Sequence, residues 1–206
     1  MELTDAASWD ETALVYTAQR GNLDAFNELL LHYQTQAYNL AYHLLQDPAA
    51  ADDATQEAFI SAYRSLAQFR GGSFRAWLLR IVTNACYDAL RHAKRRPSVS
   101  WEAFGDLEEE ANPHLRDHAE LPEEAVERDE LRRLLEDALA RLPEDQRTVL
   151  VLVDRLGLSY EEVAETLQIQ LGTVKSRLAR ARGRMRDLLL EQRELLPYRY
   201  RLDNRV

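Results

Sequence analysis

The stretch from Ser159 to Met185, SYEEVAETLQIQLGTVKSRLARARGRM, constrains the fold more than any other part of the chain. Ser159 can cap a helix through its side-chain oxygen, and Glu162 three residues later completes a capping box. Leu158 and Val163 stand where a hydrophobic staple would form. Val163, Ala164 and Leu167 make a short apolar stripe, and Gln168 to Gly172 supply a turn. A second helix is predicted from near Thr173, where Val174, Leu178, Ala181 and Met185 fall at spacings of four, three and four. Every charged residue from Thr173 to Met185 is basic: Lys175, Arg177, Arg180, Arg182 and Arg184. A helix buried on one side and cationic on the others, preceded by a compact helix and turn, suits the major groove of DNA.

A solvated basic face is the ordinary explanation of a charge run. Here it sits in a chain of net charge -9, so unopposed arginines are out of character. The charge is also segregated. Residues 1–63 carry ten acidic side chains and one basic, Arg20, whereas 64–96 carry eight basic and one acidic, Asp88. Residues 101–130 then hold twelve acidic side chains against Arg116 and Arg128. Two cationic patches separated by an anionic strip imply a nucleic-acid partner and a second macromolecular one.

Scarce Gly and Pro with ample apolar content predict a mainly helical, all-α protein, and 206 residues are long enough for one large or two small domains. No apolar run approaches the roughly 18 residues of a membrane span, so no membrane insertion is expected. The acidic N-terminus lacks a signal-peptide core, and Cys86 is a lone cysteine, so a cytoplasmic protein is expected. In chain order, a short helix over Glu11–Arg20 stops at Gly21, and Asn22 is placed to cap the next. Helical period continues from Leu23 to Leu45 and breaks at Asp47-Pro48. A third helix spans about Ala50 to Leu66, with Ala54, Ala58, Phe59, Ala62 and Tyr63 inward and Asp52, Asp53, Gln56 and Glu57 outward. Phe69-Arg70-Gly71-Gly72-Ser73 is a flexible turn. A fourth helix, Phe74 to about Lys94, buries Trp77, Leu78, Ile81, Val82, Ala85, Ala89 and Leu90. It exposes Arg75, Arg80, Asn84, Tyr87, Asp88, Arg91 and Lys94. Basic, polar and aromatic groups interleaved in this way suit single-stranded DNA. Residues 1–22 thus form an N-terminal segment, 23–96 a first domain, 97–128 an acidic linker, 129–190 a second domain and 191–206 a tail without clear period.

These residues resemble the extracytoplasmic-function (ECF) sigma factors of the sigma-70 family. The likeness rests on DATQEAF, on FRGGSFRAWLLRIVTNACYDALR, and on LSYEEVAETL with LGTVKSRLARAR, in that order and separated by an acidic linker. It implies a region 2 that docks on the beta-prime clamp helices of core RNA polymerase through Asp53, Gln56 and Glu57. It implies opening of the minus-10 element by Phe69, Arg70, Gly71, Gly72 and Ser73 with Asn84, Asp88 and Arg91. It further implies a region 4 that meets the beta flap and reads the minus-35 element. There Lys175, Ser176, Ala179 and Arg180 would face bases, and Thr173, Arg177 and Arg182 phosphates. The acidic linker would thread the RNA path of the polymerase, and an anti-sigma factor would be a further partner. Three departures stand out: Gln170 where the family often has proline, the small Ala179 where some relatives are larger, and a Tyr-rich basic tail beyond region 4 that is not a general family feature.

Three rivals are weaker. A stand-alone helix-turn-helix regulator would need a dimerisation seam for paired half-sites, and none is visible. A response-regulator output would need strand alternation in the N-terminal half, which is missing. An enzyme or metal protein is disfavoured: His114 and His118 lie at i, i+4 without a second ligand pair, and His32, His43 and His92 are scattered. No cofactor, metal or catalytic residue is predicted.

Overall fold

The computed structural model describes residues 9–95 and 122–192. Readings that concern 1–8, most of the acidic linker with its two histidines, and the tail beyond 192 lie outside the described residues. Within them the chain is all-α, with no strand. The helices are α1 (Glu11–Gln19), α2 (Leu23–Leu45), α3 (Pro48–Ser65), α4 (Phe74–Arg95), α5 (Pro122–Ala140), α6 (Glu144–Leu150), α7 (Tyr160–Leu167) and α8 (Leu171–Glu191). A 3-10 turn, Leu66–Gln68, follows α3, and α6 runs on into a π-helical turn, Val151–Arg155.

The helix ends follow from the capping chemistry of the sequence. Asn22 Oδ1 accepts from the Ala25 amide, and Asp47 Oδ1 accepts from the Ala50 amide with Pro48 as the first helical residue. Asp47-Pro48 therefore starts α3 as well as ending the segment before it. The capping box at Ser159 and Glu162 is present in full, and the staple residues Leu158 and Val163 are both buried.

Several expectations are corrected. Tyr63 is 47% exposed, tilted against Phe26 instead of entering the core. Tyr87 is half-buried, because its hydroxyl pairs with Thr148 Oγ1 at 2.8 Å from the other half of the chain. Arg75 is likewise half-buried and committed to Gln36 and to the Leu156 carbonyl. Helix α8 starts at Leu171 instead of near Thr173, with the turn confined to 168–170 and Gln168 in the left-handed region at φ 53°. Helix α5 begins at Pro122, so the last residues of the expected 97–128 linker are helical.

The two expected helical domains also pack on each other: α4 lies on α7, and α2 on α5 and α6. One apolar cluster joins Leu40, Leu44, Leu79, Val82 and Cys86 to Leu139, Val149, Leu152, Val163 and Leu178. A second cluster lies wholly in the N-terminal half, where Val15, Phe26, Leu29, Tyr33, Phe74 and Leu78 are buried together. Burial of α4 on both sides explains why Phe74, Ala76, Leu79 and Thr83 are buried beyond the single face that periodicity indicates. Burial also pushes the Cys86 thiol up to about 12, as expected of an inert core cysteine.

Polar ties cross the same junction. Arg147 donates from Nη1 to the Leu44 carbonyl at 2.8 Å and from Nη2 to the Ala140 and Leu142 carbonyls at 2.6 and 3.1 Å. One guanidinium thus serves the C-terminal ends of α2 and α5, where carbonyls lack intrahelical partners. His43 Nδ1 lies 3.1 Å from Glu136 Oε2, whose other oxygen meets Arg155 at 3.2 Å. Burial alone would raise Glu136, yet the hydrogen bond to His43 and the Arg155 charge outweigh it and hold the carboxyl below its ordinary range.

Candidate nucleic-acid and polymerase interfaces

Three surfaces gather the residues that the sequence singles out. On α3, Asp53, Gln56 and Glu57 are all exposed at spacings of three and one, an acidic and amide face beside Asp52. The opposite face of that helix is nearly all alanine, with Ala51, Ala54, Ala58 and Ala62 buried, so α3 approaches α2 and α4 closely and presents its polar side outward.

The second surface is the loop between α3 and α4. Gly71 and Gly72 take φ of +96° and +91°, which side chains with a Cβ rarely adopt. Ser73 ends the loop by capping α4, its Oγ accepting from the Ala76 amide at 3.1 Å. Phe69 is half-buried, with its ring 5.9 Å from Phe74 and 5.3 Å from Trp77, so it anchors the loop from beneath. Arg70 is exposed. A pocket of about 220 Å³ opens under the loop, lined by Phe69, Arg70, Gly71, Trp77, Arg80 and Glu165. From it Arg80, Asn84, Asp88 and Arg91 run along one side of α4 at spacings of four, four and three. Asn84, Asp88 and Arg91 are exposed, and Arg91 is paired with Asp88. Asn84 stands about 15 Å along the helix from the loop, at roughly 1.5 Å per residue. Loop and helix face therefore form a track instead of one compact site. Arg80 and Trp77 belong to the pocket although the sequence reading left them outside the site, and Trp77, expected as core, is half-buried and serves both purposes.

The third surface is α8. Val174, Leu178, Ala181 and Leu188 are buried, and Lys175, Ala179, Arg180, Arg182 and Arg184 are exposed. Thr173 and Ser176 are half-buried in the first turns, and Ser176 Oγ donates to the Thr173 carbonyl at 3.0 Å. Two of the expected phosphate contacts are already engaged. Arg182 makes a two-pronged pair with Asp154 at 3.0 and 2.6 Å, and Arg177 meets Asp145 at 3.1 Å. The Asp154 hydrogen bond raises the pKa of Arg182 further above its already high range. The cationic stripe is thus partly neutralised by acidic residues of the preceding helices.

The comparisons with known proteins fall on these same surfaces. The sigma-70 region 2 model matches residues 29–96, and the sigma-70 region 4 model matches residues 132–185. The RNA polymerase sigma-H factor of Pseudomonas aeruginosa is 42% identical over 82% of this chain and 88% of its own. The chain belongs to the ECF sigma factors of the sigma-70 family. Another relative, the ECF RNA polymerase sigma-E factor of Escherichia coli K12, is 37% identical over 84% of this chain and 90% of its own. Among solved structures, CnrH in complex with the cytosolic domain of CnrY is 27% identical, with a TM-score of 0.64 over 87% of this chain and 97% of that one. The sigma factor RpoE of Bartonella quintana, in complex with the anti-sigma factor NepR, is 26% identical, with a TM-score of 0.61 over 81% and 98%. In this ECF sigma factor the α3 face and the α3–α4 loop lie in region 2, and the helix-turn-helix lies in region 4. Among the described residues no helix is long and apolar enough to cross a membrane.

Proposed function

We propose that Asp53, Gln56 and Glu57 dock region 2 on the clamp helices of core polymerase, with region 4 meeting the beta flap. The loop Phe69 to Ser73 then opens the minus-10 element, aided by Asn84, Asp88 and Arg91. Lys175, Ser176, Ala179 and Arg180 read the minus-35 element in the major groove, and Thr173, Arg177 and Arg182 contact its phosphates. The observation that carries this reading is the arrangement of the exposed groups. An acidic face on α3, a glycine loop over a pocket of nucleobase size and an exposed cationic α8 stand on one chain in the family's order.

Promoter opening costs roughly 1.4 kcal/mol of stacking per base-pair step. Capture of an unstacked base by a pocket with an aromatic wall (Trp77) and two guanidiniums (Arg70, Arg80) offsets part of that cost. Lys175 and Arg180 can donate to guanine O6 and N7, each good bidentate contact contributing about 1–3 kcal/mol of discrimination. None of these steps needs ATP or a metal. The protein acts in the cytoplasm, where the polymerase is. By likeness to the sigma factor bound to NepR, an anti-sigma factor is a further partner.

The test is run-off transcription with bacterial core polymerase, with and without this protein, on promoter fragments from its own genome. Start-site-specific transcripts that vanish with Lys175→Ala plus Arg180→Ala, or with Asp53→Ala plus Gln56→Ala, support the assignment. DNA binding by the chain with no core-dependent initiation overturns it.

A further inference from the structure

Helix α1 lies ahead of the region 2 match, which starts at residue 29, and the reading above gives it no task. Its last residue nevertheless reaches the DNA-facing loop. Gln19 Nε2 donates to the Leu66 carbonyl at 3.1 Å and to the Phe69 carbonyl at 2.7 Å, spanning 47 and 50 residues of sequence. These two carbonyls bracket the 3-10 turn from which the loop springs.

The amide is carried on an immobilised element. Asp10 caps α1 by accepting from the Ala13 amide, and Glu11 accepts from the Tyr33 hydroxyl. Burial, then that hydrogen bond, pushes Tyr33 well above its ordinary range, so it remains a donor. The Trp9 ring stacks on His32 at 3.9 Å, and Val15 and Ala18 are buried in the cluster that holds Leu66 and Phe74. At its far end, Gly21 (φ +93°) and the Asn22 cap turn the chain into α2.

Beyond the Phe69 ring packed on Phe74 and Trp77, the loop has little of its own to fix its shape. Gly71 and Gly72 have access to many backbone conformations, and neither has a side chain with which to hold one. Phe69 N to Leu66 O, at 3.1 Å, and the Ser73 cap on α4 are local bonds at its two ends. Where residues 70–72 begin is set by the Phe69 carbonyl, and that carbonyl is held by Gln19.

We infer that Gln19 is a positioning residue for minus-10 recognition: its two hydrogen bonds fix the root of the loop. Arg70 and the glycine pair then offer one shape to the opened strand. The inference rests on the loop's role proposed above. Only a group with two N–H donors at this reach serves both carbonyls. Alanine leaves both to water, and glutamate sets a carboxylate against them.

The experiment has two arms. In the first, full-length wild type, Gln19→Ala and Gln19→Glu are assembled with core polymerase on promoter fragments with a randomised minus-10 or a randomised minus-35 element. The transcripts are then sequenced. The expected result for Gln19→Ala is that base preference at the minus-10 element flattens by about five- to tenfold, the size of losing one or two neutral hydrogen bonds. Gln19→Glu should flatten it further, and minus-35 preference should be unchanged. Equal loss on every minus-10 sequence, or no change, overturns the proposal and leaves Gln19 a purely structural residue.

The second arm is hydrogen exchange of the free full-length chain. The Phe69 amide, bonded to the Leu66 carbonyl at the root of the loop, should exchange about tenfold faster in Gln19→Ala, while amides in the middle of α4 are unaltered. Unchanged loop exchange overturns the proposal independently of any transcript. If wild type itself yields no core-dependent transcript, the sigma assignment of these residues has failed. The exchange arm still decides whether Gln19 holds the loop.

Discussion

Glu165 of α7 and Gly72 of the loop meet across the junction of regions 2 and 4: Glu165 Oε1 lies 3.2 Å from where a Cβ on residue 72 would stand. The same carboxylate lines the pocket that also holds Arg70, Trp77 and Arg80. A negative group therefore lines the site proposed for an unstacked base, and it comes from α7, the helix that precedes α8. On the reading that the loop meets the minus-10 element, this carboxylate opposes DNA there by charge and by bulk.

Glu165→Ala should therefore strengthen binding of the free chain to single-stranded oligonucleotides of minus-10 sequence. The gain should be up to about fivefold, the range for an exposed charge contact of 0.2–1 kcal/mol, and should shrink as salt rises. Fluorescence anisotropy at low and high salt measures it, and equal affinity of variant and wild type at low salt counts against an opposing role for Glu165.

Alanine at 71 and at 72 separates backbone strain from this contact. Both positions have φ above +90°, so each substitution costs roughly 1–2 kcal/mol of left-handed strain. At residue 71 a Cβ meets nothing within 4 Å, whereas at 72 it meets Glu165. Gly72→Ala should thus loosen the packing of regions 2 and 4 more than Gly71→Ala does. Adding Glu165→Ala should erase the difference, as read by small-angle scattering or inter-region cross-linking.

Arg147→Met should destabilise the free chain by about 2–3 kcal/mol, the scale for hydrogen bonds made by a charged donor. It leaves the Leu44, Ala140 and Leu142 carbonyls unserved at two helix ends. Urea unfolding measures the loss. A change below about 0.5 kcal/mol would mean that water replaces the guanidinium at all three.

The capping box carries a pH signature. The backbone hydrogen bond from Ser159 is the main cause that lowers the Glu162 carboxyl below its ordinary range. A depressed carboxylate contributes stability that is fully present above its unfolded value and is lost as pH falls through the folded one. Ser159→Ala should cost about 1 kcal/mol at neutral pH, and Glu162→Gln, which keeps the box geometry but loses the charge, a smaller amount. The Glu162→Gln penalty should fade as the solution is made acidic below the ordinary glutamate range. Thermal unfolding from neutral to acidic pH tests both statements.

On α8, the surface proposed for the minus-35 element, exposed Lys175 differs from Arg182, which is held by Asp154. Lys175→Ala should relax base preference at one position by about 1–3 kcal/mol. Arg182→Ala should weaken all sequences alike and reduce the salt slope by about one. Asp154→Asn should free Arg182 and raise affinity without altering preference. Competition binding of the holoenzyme to minus-35 variants at several salt concentrations distinguishes the three.

Local rules were enough to read most elements from the chain alone. Apolar period located α2, α4 and the two helices of the helix-turn-helix. Asn22, Asp47-Pro48 and Ser159 with Glu162 marked their starts, because caps act within a turn of the residue that makes them. The polar faces of α3 and α8 were equally legible, since exposure there follows from the alternation of charge and alanine or leucine along one helix. What only the tertiary structure decided depends on which helix lies beside which. Tyr87 and Arg75 read as solvent-facing because nothing nearby in sequence covers them; Thr148 and the Leu156 carbonyl, 61 and 81 residues away, do so. The pairing of Arg177 with Asp145 and Arg182 with Asp154, the hold of Gln19 on the loop and the carboxylate of Glu165 in its pocket are of the same kind. Each joins residues that share no helix turn, so no periodicity encodes them; the apolar packing of helices within each region and between the two sets them side by side.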